Sequence, residues 1–172
     1  GVKSVAVIGN GNVALDVARL LAKSPEEMAK SDIVLEAGAA IAVAPIADIH
    51  VIGRRGAEQA SFTTNELAEM GRLARAVAVA DASVLTAEAP AADPTPERLR
   101  KAKNIETLKR YAAQAPGDKP VTVHFRFHKT PKAIRPGAVE LSTGTLAADL
   151  VVTCIGYTGE PFPQAESVFP VG

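Results

Sequence analysis

The first fifty residues alternate between apolar runs of strand length and stretches whose apolar positions recur at helical spacing. Residues 5–8 form an apolar run that predicts a strand, and the spacing of apolar side chains in residues 13–21 predicts a helix. Helix-starting and alanine-rich patterns at residues 24–27 and 33–44 predict two further helices. Alternation with β-branched residues at 46–52 predicts a second strand, which we expect to be parallel to the first because a helical crossover separates them.

The middle of the chain continues with helices and one short strand. Thr63, followed three residues later by Glu66, predicts a helix N-terminus with a reciprocal capping box. Residues 77–79 predict a short strand, and the alanine- and proline-rich residues 87–96 predict a surface loop. Residues 96–113 predict an amphipathic helix that covers one face of a sheet. The apolar side of this helix comprises Leu99, Ile105, Leu108 and Tyr111.

Strand patterns dominate the last third of the chain. Alternation at residues 121–127 and a shorter pattern at 139–142 predict two strands, and the continuous apolar residues 150–155 predict a central, buried strand. Strands and helices that alternate early, with further strands late, are typical of α/β proteins. We therefore expect residues 1–172 to form a single domain, a Rossmann-like, three-layer, doubly wound and mostly parallel sheet with a small antiparallel β excursion.

Composition and charge exclude several classes of partner. Nineteen basic and 19 acidic side chains give a net charge of zero, so no overall field attracts nucleic acid or an anionic membrane. Charged residues, glycine or proline interrupt each apolar stretch well before the roughly 20 residues that a membrane helix needs. A single cysteine, Cys154, excludes an internal disulfide and suits a reducing compartment. We expect a cytoplasmic protein, and the alanine-rich composition is compatible with a bacterial source.

A glycine-rich turn between the first strand and the first helix carries the clearest chemistry. The sequence GNGNVA at residues 9–14 matches G-x-G-x-x-G/A in the strand-to-helix context that this motif requires. Gly9 allows the tight turn, Gly11 lets a pyrophosphate approach the backbone, and the small Ala14 lets the helix pack against the strand. The helix N-terminus then offers unpaired N–H groups and partial positive charge to phosphates.

Two arginines follow the second strand at the position where NAD-binding sites carry an acidic residue. Arg54 and Arg55 stand between glycines, directly after the strand. Guanidinium groups bind a 2′-phosphate through paired hydrogen bonds, whereas NAD would leave both cations without a partner. The sequence therefore predicts NADP(H) as the ligand. The spacing is unusual, because Arg54 follows Gly9 by 45 positions and the acidic residue normally lies about 20 residues beyond the motif.

Five segments together resemble the adrenodoxin reductase family, the ferredoxin–NADP reductases with a glutathione-reductase-like pair of dinucleotide domains. These segments are residues 9–19, 51–56, 62–67, 125–131 and 155–159. A long crossover is a trait of that family, so the resemblance accounts for the spacing.

The resemblance implies that the chain is an NADP(H)-binding domain that belongs with an FAD domain of the same polypeptide. Strand-forming residues begin abruptly at Val5 and no second G-x-G-x-x-G is present, so we expect a fragment excised from a larger reductase. In the intact protein the resemblance implies hydride transfer from NADPH to FAD and then electron delivery to a ferredoxin-like iron–sulfur protein. The fragment alone is expected to bind nucleotide only.

The resemblance also assigns roles to particular residues. The turn would hold the pyrophosphate, Arg54 and Arg55 would bind the 2′-phosphate, and Glu66 is either a nucleotide contact or only part of the capping box. The expected cofactor-binding residues are Gly9, Asn10, Gly11, Asn12, Val13, Arg54, Arg55 and Glu66.

Other reactive side chains are interpreted as structural. Cys154 lies in an apolar run and is expected to be a small buried residue. His50, His124 and His128 lack metal-ligand spacing to carboxylates or cysteine, so we expect no metal site. Because FAD would supply the redox chemistry, no catalytic side chain is assigned. Two alternatives remain open: the NADPH domain of an oxidoreductase like the glutamate synthase small subunit, and a non-catalytic NADP sensor.

Overall fold

The computed structural model describes residues 1–85 and 95–156, and its centre is a five-stranded parallel sheet. Its strands are β1 (Ser4–Ile8), β2 (Asp48–Ile52), β3 (Ala76–Ala80), β4 (Val121–Arg126) and β8 (Leu150–Thr153), in the order β3-β4-β2-β1-β8. The helices are α1 (Asn12–Ala22), α2 (Pro25–Met28), α3 (Leu35–Val43), α4 (Thr64–Met70) and α5 (Pro96–Ala112).

Three helices cover one face of the parallel sheet and enclose the main core. Alternate residues of the central strands point to this face, as the period of two along a strand requires. The core pairs strand residues with α1, α4 and α5, and its fully buried members include Val7, Ile49, Val123, Leu15, Leu67 and Leu108. The predicted α/β class is therefore confirmed.

A small antiparallel sheet packs against part of the opposite face. It consists of β5 (Pro131–Arg135), β6 (Ala138–Leu141) and β7 (Gly144–Ala147) in that order. Val139 of β6 and Ala148 form a second core cluster with Ala6, Ile8 and Ile52 of the parallel sheet. This sheet confirms the predicted antiparallel excursion. Only β6 had a strand pattern in the sequence, because β5 and β7 are short and largely exposed.

The predicted central position of the last strand is wrong. β8 lies at the edge of the parallel sheet, beside β1, and Leu150 is 38% exposed. A continuous apolar run predicts a strand, but it does not fix the strand's place in the sheet, which depends on the path of the chain.

The long helix is confirmed, although one of its predicted buried residues is exposed. Ile105, Leu108 and Tyr111 are buried, whereas Leu99 is 47% exposed. Leu99 precedes Leu108 by about two and a half turns and so lies on the opposite side of α5. The buried stripe instead includes the polar residue Asn104.

The crossover helices form where the sequence predicted them. Ser24 and Glu27 make a complete capping box at the start of α2, with Glu27 N donating to Ser24 Oγ (3.2 Å) and Ser24 N donating to Glu27 Oε2 (2.9 Å). In residues 1–85 and 95–156, no helix is both long and apolar enough to cross a membrane. The loop predicted at 87–96 and the resemblance at 155–159 lie mostly outside the described residues.

Candidate nucleotide-binding site

The turn between β1 and α1 requires glycine at its first position. Gly9 has a φ of +148°, a region that side chains other than glycine rarely adopt. A Cβ there would also collide with the backbone carbonyl of Cys154, which follows β8. Gly9 N donates to the carbonyl of Ile52 at 3.0 Å and thereby joins the turn to the end of β2. The predicted role of Gly9 in a tight turn is supported by this geometry.

The helix that follows the turn presents an N-terminus suited to an anion. Gly11 is the N-cap of α1 and makes no side-chain capping bond, and the first turn holds no acidic residue. The backbone N–H groups of Asn12 and Val13 precede the first intrahelical bond, which Ala14 N donates to Gly11 O. The positive end of the helix dipole and these donors therefore face the same space.

A cleft of about 970 Å³ opens at the carboxyl ends of β1, β2 and β8. Parallel α/β sheets bind ligands at this end of their strands. Seven of the eight predicted site residues line it: Gly9, Asn10, Gly11, Asn12, Val13, Arg54 and Arg55. Further lining residues that sequence reasoning missed are Gln59, Ser61, Thr130 and Lys132. The first two lie close after the arginines, but nothing local to the other two indicates a place in the cleft.

The two arginines are exposed, while the backbone that carries them is fixed by the loop after β4. Gly53 N donates to Arg126 O at 2.8 Å, Lys129 N donates to Gly53 O at 2.9 Å, and His128 N donates to Arg55 O at 3.1 Å. The guanidinium groups of Arg54 and Arg55 thus extend from a backbone held on both sides.

The side chain of Asn10 lies directly over Gly53. A Cβ added to Gly53 would overlap the amide of Asn10, so a larger residue after β2 would displace the Asn10 side chain. Asn10 Oδ1 is buried and accepts no hydrogen bond from the described residues. The glycine turn and the arginine segment are therefore in contact at this point.

Glu66 lies apart from the residues that line the cleft. Its Oε2 is 3.2 Å from Arg19 Nη1, and the same guanidinium pairs with Asp16 and Glu69. The predicted capping box is only half formed: Thr63 Oγ1 accepts from Glu66 N at 3.4 Å, but Thr63 N donates to Asn12 Oδ1 at 2.8 Å. The reciprocal bond from Thr63 N to the Glu66 side chain is absent, because Thr63 N donates to Asn12 and the Glu66 carboxylate pairs with Arg19. A contact between Glu66 and nucleotide stays a prediction.

Cys154 was expected to be a buried apolar residue, and that expectation is wrong in part. The side chain is half-buried and lines the cleft beside the glycine turn. Partial burial raises the pKa of its thiol above the ordinary value, so the thiol form is favoured. A protonated thiol is a weak nucleophile, which agrees with a structural role.

The structure brings two histidines together with a carboxylate, contrary to the spacing argument. His50 of β2 and His124 of β4 are direct partners across the sheet, with ring centroids 4.6 Å apart. Ligand atoms of Asp48, His50 and His124 all lie within 4.8 Å of one another. The sequence shows no such grouping because 76 positions separate Asp48 from His124.

Two hydrogen bonds connect the side chains of this cluster with one another and with Arg126. His124 Nε2 pairs with Asp48 Oδ1 at 2.8 Å, and Arg126 Nε donates to His50 Nδ1 at 3.1 Å. Because a guanidinium can only donate, His50 Nδ1 carries no proton. Burial lowers the pKa of His50 to about 3, with the charges of His124 and Arg126 acting in the same direction. Burial also lowers the pKa of His124, although Asp48 opposes the shift.

Known proteins resemble the chain over most of its length. A probable ferredoxin/ferredoxin–NADP reductase of Mycobacterium bovis is 38% identical over 174 residues, which cover 93% of this chain and 30% of that protein. The mitochondrial NADPH:adrenodoxin oxidoreductase of Drosophila melanogaster is 31% identical, covering 87% of this chain and 32% of that protein. The solved structure of Mycobacterium tuberculosis FprA in complex with NADPH matches with a TM-score of 0.77 at 33% identity. The match covers 94% of this chain and 40% of the FprA chain. No protein-family model matches.

The parallel sheet and its glycine turn place the chain in the class of Rossmann-type α/β domains. More particularly, the chain is homologous to one segment of the ferredoxin–NADP reductases and of NADPH:adrenodoxin oxidoreductase, which confirms the resemblance seen in the motifs. It spans 30% to 40% of the length of these relatives.

Proposed function

We propose that the chain binds NADP(H) in the cleft at the carboxyl end of its parallel sheet. The observation that carries the proposal is that the glycine turn and both arginines line this one cleft. The pyrophosphate would lie over Gly9 to Val13, at the N-terminus of α1, and Arg54 with Arg55 would bind the 2′-phosphate. The FprA relative is described in complex with NADPH, which supports the same class of ligand here.

The end of β2 favours NADP over NAD. Ile52, Gly53 and Arg54 occupy the positions where an acidic side chain would accept hydrogen bonds from the ribose of NAD. Binding NAD would bring Arg54 and Arg55 to a ribose without a phosphate, and the favourable charge pairing would be lost.

We further propose that the chain is the NADP(H)-binding domain of a longer FAD-dependent reductase. Relatives named as ferredoxin–NADP reductases, of which it matches about a third, support this placement. FAD, bound by another domain of the same polypeptide, would take the hydride and pass electrons to a ferredoxin-like iron–sulfur protein. The residues of this chain would bind and orient NADPH, and we assign no catalytic side chain among them.

Thermal unfolding of the 172-residue chain tests the nucleotide assignment. A ligand that binds only the native state raises the unfolding midpoint by mass action. NADP should raise the midpoint clearly, whereas NAD at the same concentration should raise it far less. Equal shifts with the two nucleotides would contradict the NADP assignment.

A second experiment separates a reductase from a nucleotide sensor. The longer protein that contains this chain should carry FAD, detected by its visible absorbance, and should reduce a ferredoxin at the expense of NADPH. A longer protein that binds NADP but contains no flavin would favour a sensor instead.

A further inference from the structure

A short segment after the arginines holds the glycine turn through hydrogen bonds. Ser61 N and Ser61 Oγ both donate to the carbonyl of Asn10, at 2.9 Å and 3.2 Å. Thr63 N donates to Asn12 Oδ1 at 2.8 Å. Ser61, Phe62 and Thr63, here called the support segment, therefore hold two residues of the turn, one on each side of Gly11.

Phe62 fixes the support segment to the body of the protein. Its ring is fully buried and meets the ring of Phe125 edge to face, with centroids 6.4 Å apart. Its carbonyl accepts two hydrogen bonds from α5, one from Arg100 Nη1 at 2.7 Å and one from Asn104 Nδ2 at 3.1 Å. A helix about 40 positions further along the chain thus anchors the segment.

Packing alone does not explain why polar side chains, Arg100 and Asn104, stand at these two positions of α5. Asn104 is only 2% exposed, and its Oδ1 is buried without a hydrogen-bond partner among the described residues. Burying an unpaired amide oxygen is unfavourable, and a leucine, which branches in the same way, would avoid that cost. The asparagine is therefore accounted for by its donor to Phe62. Arg100 adds a charge-assisted bond to the same oxygen.

We infer that Arg100 and Asn104 are positioning residues for the nucleotide site, an inference that rests on the proposed function. By fixing the Phe62 carbonyl they hold Ser61 and Thr63, which in turn hold the backbone of the turn that faces the pyrophosphate. The arginine segment contacts the turn at Asn10, but it has its own backbone hydrogen bonds to Arg126 and to the loop after β4. Loss of the anchor therefore weakens contacts common to NADP and NAD and leaves the 2′-phosphate contacts in place.

The experiment measures NADP and NAD affinities of the 172-residue chain and its variants by calorimetry. Arg100→Ala and Asn104→Leu should each weaken both nucleotides by a similar factor, roughly threefold to thirtyfold, so that the NADP/NAD ratio is preserved. Arg98→Ala is the matched control, because it removes the same charge from an exposed position on the same helix. Arg100→Lys, which retains a donor and the charge, should recover part of the loss.

The outcomes separate this role from the alternatives. Thermal midpoints measured first establish that each variant is folded at the titration temperature, and Arg100, being only half-buried, gives a folded variant even where Asn104→Leu does not. Variants that bind both nucleotides as Arg98→Ala does would overturn the inference. A loss confined to NADP would also overturn it and would indicate a direct effect of charge on the 2′-phosphate. A wild-type chain that binds neither nucleotide contradicts the proposed function instead.

Discussion

At the scale of single residues, the two arginines after β2 make the choice of cofactor testable. Arg54→Ala removes one exposed guanidinium without touching the backbone bonds that fix Gly53 and Arg55. NADP affinity should fall by roughly tenfold to a hundredfold, the effect of losing one charge-assisted pair, and NAD affinity should change little. Calorimetric titration with both nucleotides measures the difference, with Arg98→Ala as control. An equal loss for both nucleotides would contradict a contact with the 2′-phosphate.

Alanine substitutions at Gly9 and Gly117 distinguish the cost of backbone strain from the cost of a steric clash. Both have positive φ, +148° and +92°, but a Cβ at Gly117 meets nothing within 4 Å, whereas one at Gly9 meets the Cys154 carbonyl. Gly117→Ala should lower the free energy of unfolding by about 1 kcal/mol through strain alone. Gly9→Ala should lower the free energy of unfolding by about 3 kcal/mol or more, because the clash of the new methyl group with the Cys154 carbonyl adds to the strain. It should also abolish NADP binding. Urea unfolding measures both variants, and equal losses would show that the contact at Gly9 relaxes freely.

At the scale of elements, Glu27 joins the crossover to a distant loop. Its carboxylate accepts from Ser24 N at 2.9 Å within the capping box and from Ala74 N at 3.1 Å, beyond the end of α4. Glu27→Ala should lower the free energy of unfolding by about 1–2 kcal/mol, since both backbone donors lose their acceptor. Glu26→Ala, in the same turn and exposed, is the control and should change stability by less than about 0.5 kcal/mol. Similar losses in urea unfolding would show that the dipole, rather than the two bonds, accounts for the effect.

Most elements could be predicted from the sequence because their signals are local. β1, β2 and α1 have clear apolar patterns, and α2 and α4 begin at the capping residues Ser24 and Thr63. β5 and β7 could not be found, since half-exposed antiparallel strands of mixed polarity have no distinct pattern. The edge position of β8 depends on the path of the chain, which local periodicity does not contain.

The residues of the candidate site also fall into two groups, those that local motifs predict and those that depend on distant contacts. The glycine turn and the arginines could be identified because each motif is contiguous, and strand order then brings both to one cleft. The support segment and its anchor on α5 join residues about 40 positions apart, so no local pattern indicates them. Asn12 shows the limit most clearly: the motif indicates a phosphate contact, yet its side-chain oxygen binds the backbone of Thr63.

At the scale of the whole molecule, the two faces of the parallel sheet have different chemistry. One face packs an apolar core against α1, α4 and α5. The other carries polar side chains along β2 and β4, where Asp48, His50, His124 and Arg126 form hydrogen-bonded pairs. Burial lowers the pKa of both histidines in the folded chain, so they link the stability of the domain to pH.

Stability should therefore fall as the solution becomes acidic, before most carboxylates titrate. The pKa of His50 is about 3 in the folded protein, against an ordinary value of 6.5, because burial and the adjacent His124 and Arg126 disfavour its charged form. The unfolded state then binds more protons than the folded state between these values, so the free energy of unfolding decreases as pH falls below 6.5. From pH 7 to pH 5 the loss should be about 1–2 kcal/mol. Urea unfolding of His50→Val should show a smaller decrease over this interval, whereas His128→Ala, outside the cluster, should match the wild type. An unchanged slope in His50→Val would mean that other groups, such as His124, govern the pH dependence.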